Sequence, residues 1–275
     1  MCGSTERHVI AERLAFAMRY STVICPRCGL VWTSPRPSAQ SFERFYGELY
    51  PQLYGSGALA AGPSPRGTMV FDWVAESLDI VGTGAFDIGC GDGGLLLAFA
   101  DSLAREGKEA ALGGCDPGWP VDAPDVLEHA GMPIRVWRKN VEELASELQP
   151  FSLFLMYDVI EHLLHPRAFV TSLHAIAPPG ARLFVSTSCL DNWEAIPPAG
   201  WESYYLRLAH TFTFSRATLT ALLATGGWEV ERWSPAPKGD QWALCSRRPE
   251  PRPQGGLPGH EREVLALIDR YKSRL

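Results

Sequence analysis

An α/β protein, with one mostly parallel sheet covered by helices on both faces, is what this sequence predicts. Three observations carry that expectation. Short apolar runs alternate with amphipathic ones from Met69 to about Arg248, the order of strand–helix units rather than of a bundle or a sandwich. A glycine-rich turn, Asp87-Ile88-Gly89-Cys90-Gly91-Asp92-Gly93-Gly94, joins one apolar run to the helix-patterned Leu95-Leu96-Leu97-Ala98-Phe99-Ala100. Near the end, two apolar runs are joined by the short loop Pro235 to Asp240, which suits an antiparallel hairpin.

Taken in order, strands are expected at Ala85–Ile88, Ala111–Cys115, Ile134–Arg138, Phe151–Tyr157 and Arg182–Ser186, then at Trp228–Ser234 and Gln241–Ser246. Helices are expected at Gly94–Glu106, Ala123–Ala130, Val141–Glu147, Pro166–Ala177 and Ser215–Thr225, where apolar residues recur at helical spacing. Outside this region, residues 1–54 read as a leader with a cysteine knuckle and an aromatic-rich stretch. The Gly/Ala/Pro/Ser-rich residues 55–68 read as a linker or mobile loop. Residues 69–248 form the main domain, and 249–275 a Pro-rich spacer followed by a charged helix from Glu261.

Composition narrows the function. A chain of 275 residues buries one good core with a small accessory unit. A formal net charge of −6 argues against a broad nucleic-acid-binding surface, which rests on clustered Lys and Arg. No apolar run approaches the roughly 20 residues that span a bilayer, and the amino terminus lacks a signal pattern, so a cytoplasmic protein is expected. Seven cysteines at scattered spacings do not form a disulfide framework. The composition does not fix the oligomeric state.

The glycine turn carries the chemistry. Its glycines let the backbone pass close to a bound nucleoside. Gly89, Gly91 and Gly94 also match G-x-G-x-x-G, a pattern shared with dinucleotide sites and with plain tight turns. Asp87, two residues before the first glycine, tips the choice. A carboxylate at that strand end repels a pyrophosphate and suits an amino-acid ammonium group, so S-adenosylmethionine is the expected ligand. After the second strand, Asp116-Pro117 places a carboxylate where ribose hydroxyls bind. After the third, Asn140-Val141 places an amide where an adenine edge would lie. Tyr157-Asp158-Val159-Ile160-Glu161-His162 follows the fourth strand.

This series resembles the class I S-adenosylmethionine-dependent methyltransferases. The matching parts are D-I-G-C-G-D-G, G-C-D-P, Y-D-V-I-E-H, A-P-P-G-A-R-L-F-V-S and H-T-F-T-F-S-R-A-T-L, over roughly Val70 to Arg248. The resemblance implies a Rossmann-like three-layer sandwich with seven strands, the last antiparallel. It implies that Asp87, Gly89, Cys90 and Gly91 hold the methionine part, Asp116 and Pro117 the ribose, and Asn140 and Val141 the adenine, with Tyr157 and Asp158 lining the donor site. The acceptor expected is a small molecule bearing a hydroxyl. A carbon or nitrogen acceptor on a sugar or other metabolite, or a non-catalytic binding protein of the same fold, stays open.

Asp158, Glu161, His162 and His210 have three further readings, the plainest being that Glu161 and His162 are a helix-start pair that shapes the pocket. An imidazole, His162 or His210, beside Glu161 is a general base for an acceptor hydroxyl. Alternatively the four converge on a divalent ion such as Mg²⁺, Mn²⁺ or Zn²⁺, similar to the metal-assisted O-methyltransferases with Glu-x-x-Glu-His. Here Asp158 replaces the first glutamate. The insertion between Cys189 and His210, with Trp193, Pro197, Pro198, Trp201, Tyr204 and Tyr205, reads either as an aromatic acceptor lid or as a cover for the sheet edge.

Cys25-Pro26-Arg27-Cys28-Gly29 is a knuckle, able to aim two thiolates at one Zn²⁺. Cys2-Gly3 looks like the second half of another knuckle. The leader is similar to zinc ribbons preceding some bacterial methyltransferases, with Cys2, Cys25 and Cys28 as ligands. Either a first cysteine lies upstream of Met1, or the ribbon is a metal-free hairpin.

Overall fold

The computed structural model describes residues 2–15, 18–49, 59–195, 209–252 and 256–273. Twelve strands appear among them: β1 His8–Ala15, β2 Met18–Ile24, β3 Val31–Ser34, β4 Ala85–Ile88, β5 Leu112–Cys115, β6 Val126–His129, β7 Met132–Trp137, β8 Leu153–Tyr157, β9 Arg182–Ser188, β10 Phe212–Thr213, β11 Trp228–Pro235 and β12 Asp240–Arg247. Eight form a sheet in the order β11-β12-β9-β8-β4-β5-β7-β6, and four form a smaller one, β1-β2-β3-β10. The pairs β4–β5, β4–β8 and β5–β7 are parallel, and β11–β12 is the expected antiparallel hairpin. This is the Rossmann-like α/β arrangement, with one strand more than the seven expected.

The extra strand is β6, and it corrects the helix expected at Ala123–Ala130. Val126–His129 pairs antiparallel with β7, His129 opposite Met132. The two residues between them, Ala130 and Gly131, have φ of 50° and 81°, the left-handed pair that a two-residue hairpin turn requires. Val141–Glu147 also shortens, to a 3-10 turn over Val141–Glu143.

By Cα proximity the chain falls into two compact units. One comprises Ser38–Tyr157 and Ala175–Phe184, the other Met1–Pro37, Asp158–His174 and Val185–Leu275. In the first, β4 and β5 are buried along their whole length, as the inner strands of a parallel sheet are. Phe86 of β4 sits among Phe151, Phe154 and Trp137, with ring centroids 5.1, 6.2 and 5.8 Å away. The helix Gly94–Arg105 packs on the helix Pro65–Ala75, where Phe71 meets Phe99 edge-on at 5.2 Å. That second helix starts inside the segment read as a linker. Ser64 caps its first turn and Pro65 takes its first position, where a missing N–H costs nothing.

In the second unit the chain ends share a core. Ile24 and Val31 of the small sheet pack with Leu190 and with Val264, Ile268 and Tyr271 of the helix His260–Lys272. The charged carboxyl-terminal helix thus docks on its own chain. His260 ties it further, its ring 2.7 Å from both Ser215 Oγ and Glu263 Oε2. Among the described residues no helix is long and apolar enough to cross a membrane.

Candidate active site

In the first unit, β4 delivers Asp87 to the start of the glycine turn. Gly89 and Cys90 donate their N–H groups to Cys115 O, at 2.8 and 3.1 Å, so the turn is laced to the end of β5. Gly91 has φ of 55°, and a β-carbon built there would meet nothing within 4 Å. The turn therefore opens onto free space at Gly91, a cradle for a close-fitting ligand.

Asp87 is 2% exposed, and its Oδ1 has no hydrogen-bond partner. Burial, reinforced by the charges of Asp116 and Asp92, pushes its pKa well above the usual carboxylate range. A buried carboxylate with an orphaned oxygen is costly by itself; a cationic ligand group supplies what it lacks. The residues here fit the ammonium group of S-adenosylmethionine.

Asp116, after β5, is held from two sides. Its Oδ2 accepts from Gly91 N–H at 2.9 Å and its Oδ1 from Gly118 N–H at 2.7 Å. Burial raises its pKa and these two bonds oppose the rise. Each oxygen keeps a second lone pair for a ribose hydroxyl. The Gly118 contact was readable in Asp116-Pro117-Gly118, where an aspartate bonds to the backbone two residues on, yet sequence reading missed its role. Pro117 is exposed in the same turn, and Cys90 is buried.

Asn140 is exposed and engaged locally: its backbone N–H and its amide nitrogen both donate to Glu143 Oε1, at 3.0 and 3.3 Å. Val141 is buried beside it. Tyr157, at the end of β8, is half-buried with its hydroxyl 3.5 Å from Arg66 Nη1.

The second unit brings Glu161, His162 and His210 together. One ligand-capable atom from each lies within 4.8 Å of the others, and the imidazoles meet edge-on with centroids 5.0 Å apart. His162 Nδ1 is 2.9 Å from Ala209 O. A carbonyl only accepts, so Nδ1 carries a proton, and in the neutral ring Nε2 is the accepting nitrogen. Glu161 is 1% exposed, and its Oε2 has no hydrogen-bond partner. Burial, then the Asp158 charge, raises its pKa well above the ordinary value.

Asp158 is not one of that trio, although its charge acts on Glu161. It adopts φ of 55°, a left-handed conformation unusual for a residue with a side chain. Its N–H donates to Ser186 O at 3.0 Å, and its Oδ1 accepts from Ser186 Oγ at 3.1 Å. Ser186, which sequence reading did not single out, fixes this aspartate.

Cys2, Cys25 and Cys28 also converge in this unit, one sulfur from each lying within 4.8 Å of the others, with Cys2 Sγ and Cys25 Sγ 3.6 Å apart. Burial pushes the Cys28 thiol up to about 12. For Cys2, burial acts upward, but hydrogen bonds involving the Ser4 backbone, Cys28 and Cys25 bring the thiol below its ordinary value. Three soft donors this close are able to fill three corners of a tetrahedral Zn²⁺ site. The lid residues Pro197, Pro198, Trp201, Tyr204 and Tyr205 lie outside the described residues.

Comparison with known proteins agrees with this geometry. A family described as "Methyltransferase domain" matches residues 83–232. Curated relatives include ubiquinone biosynthesis O-methyltransferases of Hahella chejuensis, 32% identical over 122 residues, and Xylella fastidiosa, 30% identical over 125. Each alignment covers 42% of this chain and 48% or 46% of the relative, so the chain spans about half the length of the curated relatives it matches. Among solved structures, the 1,6-didemethyltoxoflavin-N1-methyltransferase of Burkholderia thailandensis, with S-adenosylhomocysteine bound, aligns at a TM-score of 0.53 and 14% identity, over 89% of this chain and 100% of that one. The magnesium protoporphyrin IX methyltransferase of Synechocystis, also with S-adenosylhomocysteine bound, aligns at 0.50 and 16%, over 76% and 100%. At such identities these two likenesses speak for the fold alone. Since the family match covers more than half of the sequence and includes the Asp87 turn and Asp116, the chain belongs to the methyltransferase-domain family.

Proposed function

We propose that this protein transfers a methyl group from S-adenosylmethionine to a hydroxyl oxygen of a small molecule. The observation that carries this reading is the meeting of Glu161, His162 and His210, with His162 Nδ1 donating to Ala209 O, an arrangement that presents an imidazole as the acceptor's general base. When bound, the donor supplies a methyl carbon made electrophilic by the sulfonium. This chain's residues do the rest. Asp87 balances the donor's ammonium group, and Asp116 orients its ribose. His162 takes the acceptor's hydroxyl proton at Nε2, while Glu161 and His210 set the polarity around the ring. Much of the rate then comes from alignment and exclusion of water. The net charge of −6 supports a small-molecule rather than a nucleic-acid acceptor, and the curated relatives' names are those of O-methyltransferases. Release of S-adenosylhomocysteine against a panel of phenols, catechols and hydroquinones tests it. Turnover confined to amines or carbon acids sinks the oxygen assignment.

A second reading is favoured by the same trio. A metal-bound histidine commonly has its other nitrogen committed to a carbonyl, as His162 Nδ1 is to Ala209 O, and Glu161 Oε2 has no hydrogen-bond partner among the described residues. Glu161, His162 and His210 would then hold a divalent ion that polarises the acceptor oxygen. EDTA treatment followed by Mg²⁺, Mn²⁺ or Zn²⁺ decides between the two. The metal reading predicts loss and recovery of turnover, and unchanged turnover leaves His162 as the proton acceptor.

The thiol trio supports structural zinc. Metal analysis of the full chain is expected to give about one Zn²⁺ per chain, lost in Cys25→Ser. A chain purified zinc-free and unaffected by that substitution contradicts it.

A further inference from the structure

Glu161–His162 and His210 lie nearly fifty residues apart in sequence, and a buried hydroxyl spans the gap. Thr211 is 1% exposed. Its Oγ1 lies 2.9 Å from Glu161 O and 2.7 Å from Leu163 O, the carbonyls on either side of His162. These belong to the end of a 3-10 turn, Ile160–His162, where carbonyls lack partners within the turn. In return, Ala209 O receives the His162 Nδ1 proton. The two segments are thus stitched in both directions, and the stitch includes the bond that fixes the His162 tautomer.

Thr211 is itself anchored. Thr33 of β3, 3% exposed, donates its N–H to Thr211 O and its hydroxyl to His210 O, both at 3.0 Å. Next to it, Phe212 and Thr213 of β10 pair with Trp32 and Val31. Neither threonine has a surface through which an acceptor could reach it.

We propose that Thr211 is a positioning residue for His162, which holds the imidazole with Nδ1 donating to Ala209 O, and that Thr33 secures it from the small sheet. This rests on the reading of His162 as the group that meets the acceptor proton. A single hydroxyl hydrogen shared between two carbonyls acts through geometry alone. Its effect belongs to kcat and not to donor binding.

The test compares the full-length wild type with Thr211→Val, Thr211→Ser and Thr33→Val. Turnover uses the most active phenol of the acceptor panel; long-range ¹H–¹⁵N spectra of histidine-labelled protein at pH 8 report tautomers. Signals of His162 are assigned by their loss in His162→Asn. Thr211→Val is expected to lower kcat on the order of 10- to 100-fold, with the KM for S-adenosylmethionine within about 2-fold of wild type. The His162 signals should shift from the Nδ1–H pattern toward a tautomer mixture. Thr211→Ser should restore both readouts, and Thr33→Val should lower kcat less. Wild-type kcat and an unchanged tautomer in folded Thr211→Val overturn the proposal. Should Thr211→Val not fold, Thr33→Val and Thr211→Ser decide. A kcat loss in Thr33→Val with wild-type behaviour in Thr211→Ser supports the proposal; wild-type kcat in Thr33→Val, or no turnover in Thr211→Ser, refutes it. Full activity of His162→Asn would instead refute the underlying reading of His162, whatever the threonines do.

Discussion

Asp87→Asn is expected to weaken donor binding by about 100-fold or more, the scale of losing a buried charged partner worth roughly 3 kcal/mol. Asparagine keeps the shape of the side chain and removes the charge. The orphaned Oδ1 and the raised pKa both point to a carboxylate held against its own solvation. The same substitution has an opposite signature in the unliganded protein. A folded-state pKa raised above the unfolded value of about 3.9 means the native state holds its proton longer. Stability is therefore fully present below about pH 3.9 and is lost as the pH rises toward the folded value. Asp87→Asn removes that loss, so its thermal midpoint relative to wild type should improve from pH 4 to pH 8. Saturating S-adenosylhomocysteine should reverse the order in favour of wild type. Parallel pH profiles for the two proteins would show that Asp87 titrates normally and is not a charge waiting for a partner.

His162→Asn is expected to lower kcat by about 10²- to 10⁴-fold, the usual contribution of a positioned proton acceptor, with donor affinity unchanged. Asparagine retains an N–H for Ala209 O and lacks the Nε2 lone pair. Glu161→Gln should act in the same direction, and the double variant should lose much less than the product of the two, as groups acting together do. Burial and Asp158 raise the Glu161 pKa. Ionised Glu161 favours the protonated imidazole that forms in the reaction, so wild-type activity should fall on the acid side at a higher pH than an exposed carboxylate would give. In Glu161→Gln only the limb set by protonation of His162 itself should remain. A double variant whose loss equals the product of the two single losses, together with weakened donor binding, would point to disrupted packing instead.

How much of this was legible in the sequence depends on the range of the interaction. The Asp87 turn and its helix are local: an apolar run, glycines and an amphipathic run fall within about twenty residues, and their order alone specifies the turn. Asp116 was visible as an acid at a strand end, but its bond to Gly91 N–H joins loops 25 residues apart. Val126–His129 misled because Val-Leu-Glu-His-Ala suits a helix as well as a strand. Only pairing with β7 across Ala130-Gly131 makes it a strand. The Pro65–Ala75 helix hid among the prolines and glycines of the preceding segment, although Ser64-Pro65 is a helix start.

Least legible was the small sheet. That β3 pairs with β10, nearly 180 residues later in the chain, leaves no periodic trace. The same holds for Thr33 and Thr211, whose hydroxyls act through backbone carbonyls. Asp158 was expected beside Glu161 and His162 from the Asp-x-x-Glu-His order. Its left-handed backbone and its bond to Ser186 are features that the order does not carry. Spacing brings residues onto one segment, and local conformation decides where each side chain points.

Calorimetric titration of the purified full chain with S-adenosylhomocysteine tests the central claim most directly. The expected result is one molecule bound per chain by wild type and by His162→Asn with equal affinity, and about 100-fold weaker binding by Asp87→Asn. No binding to the wild type, or equal binding by the Asp87 variant, would contradict the account at its root.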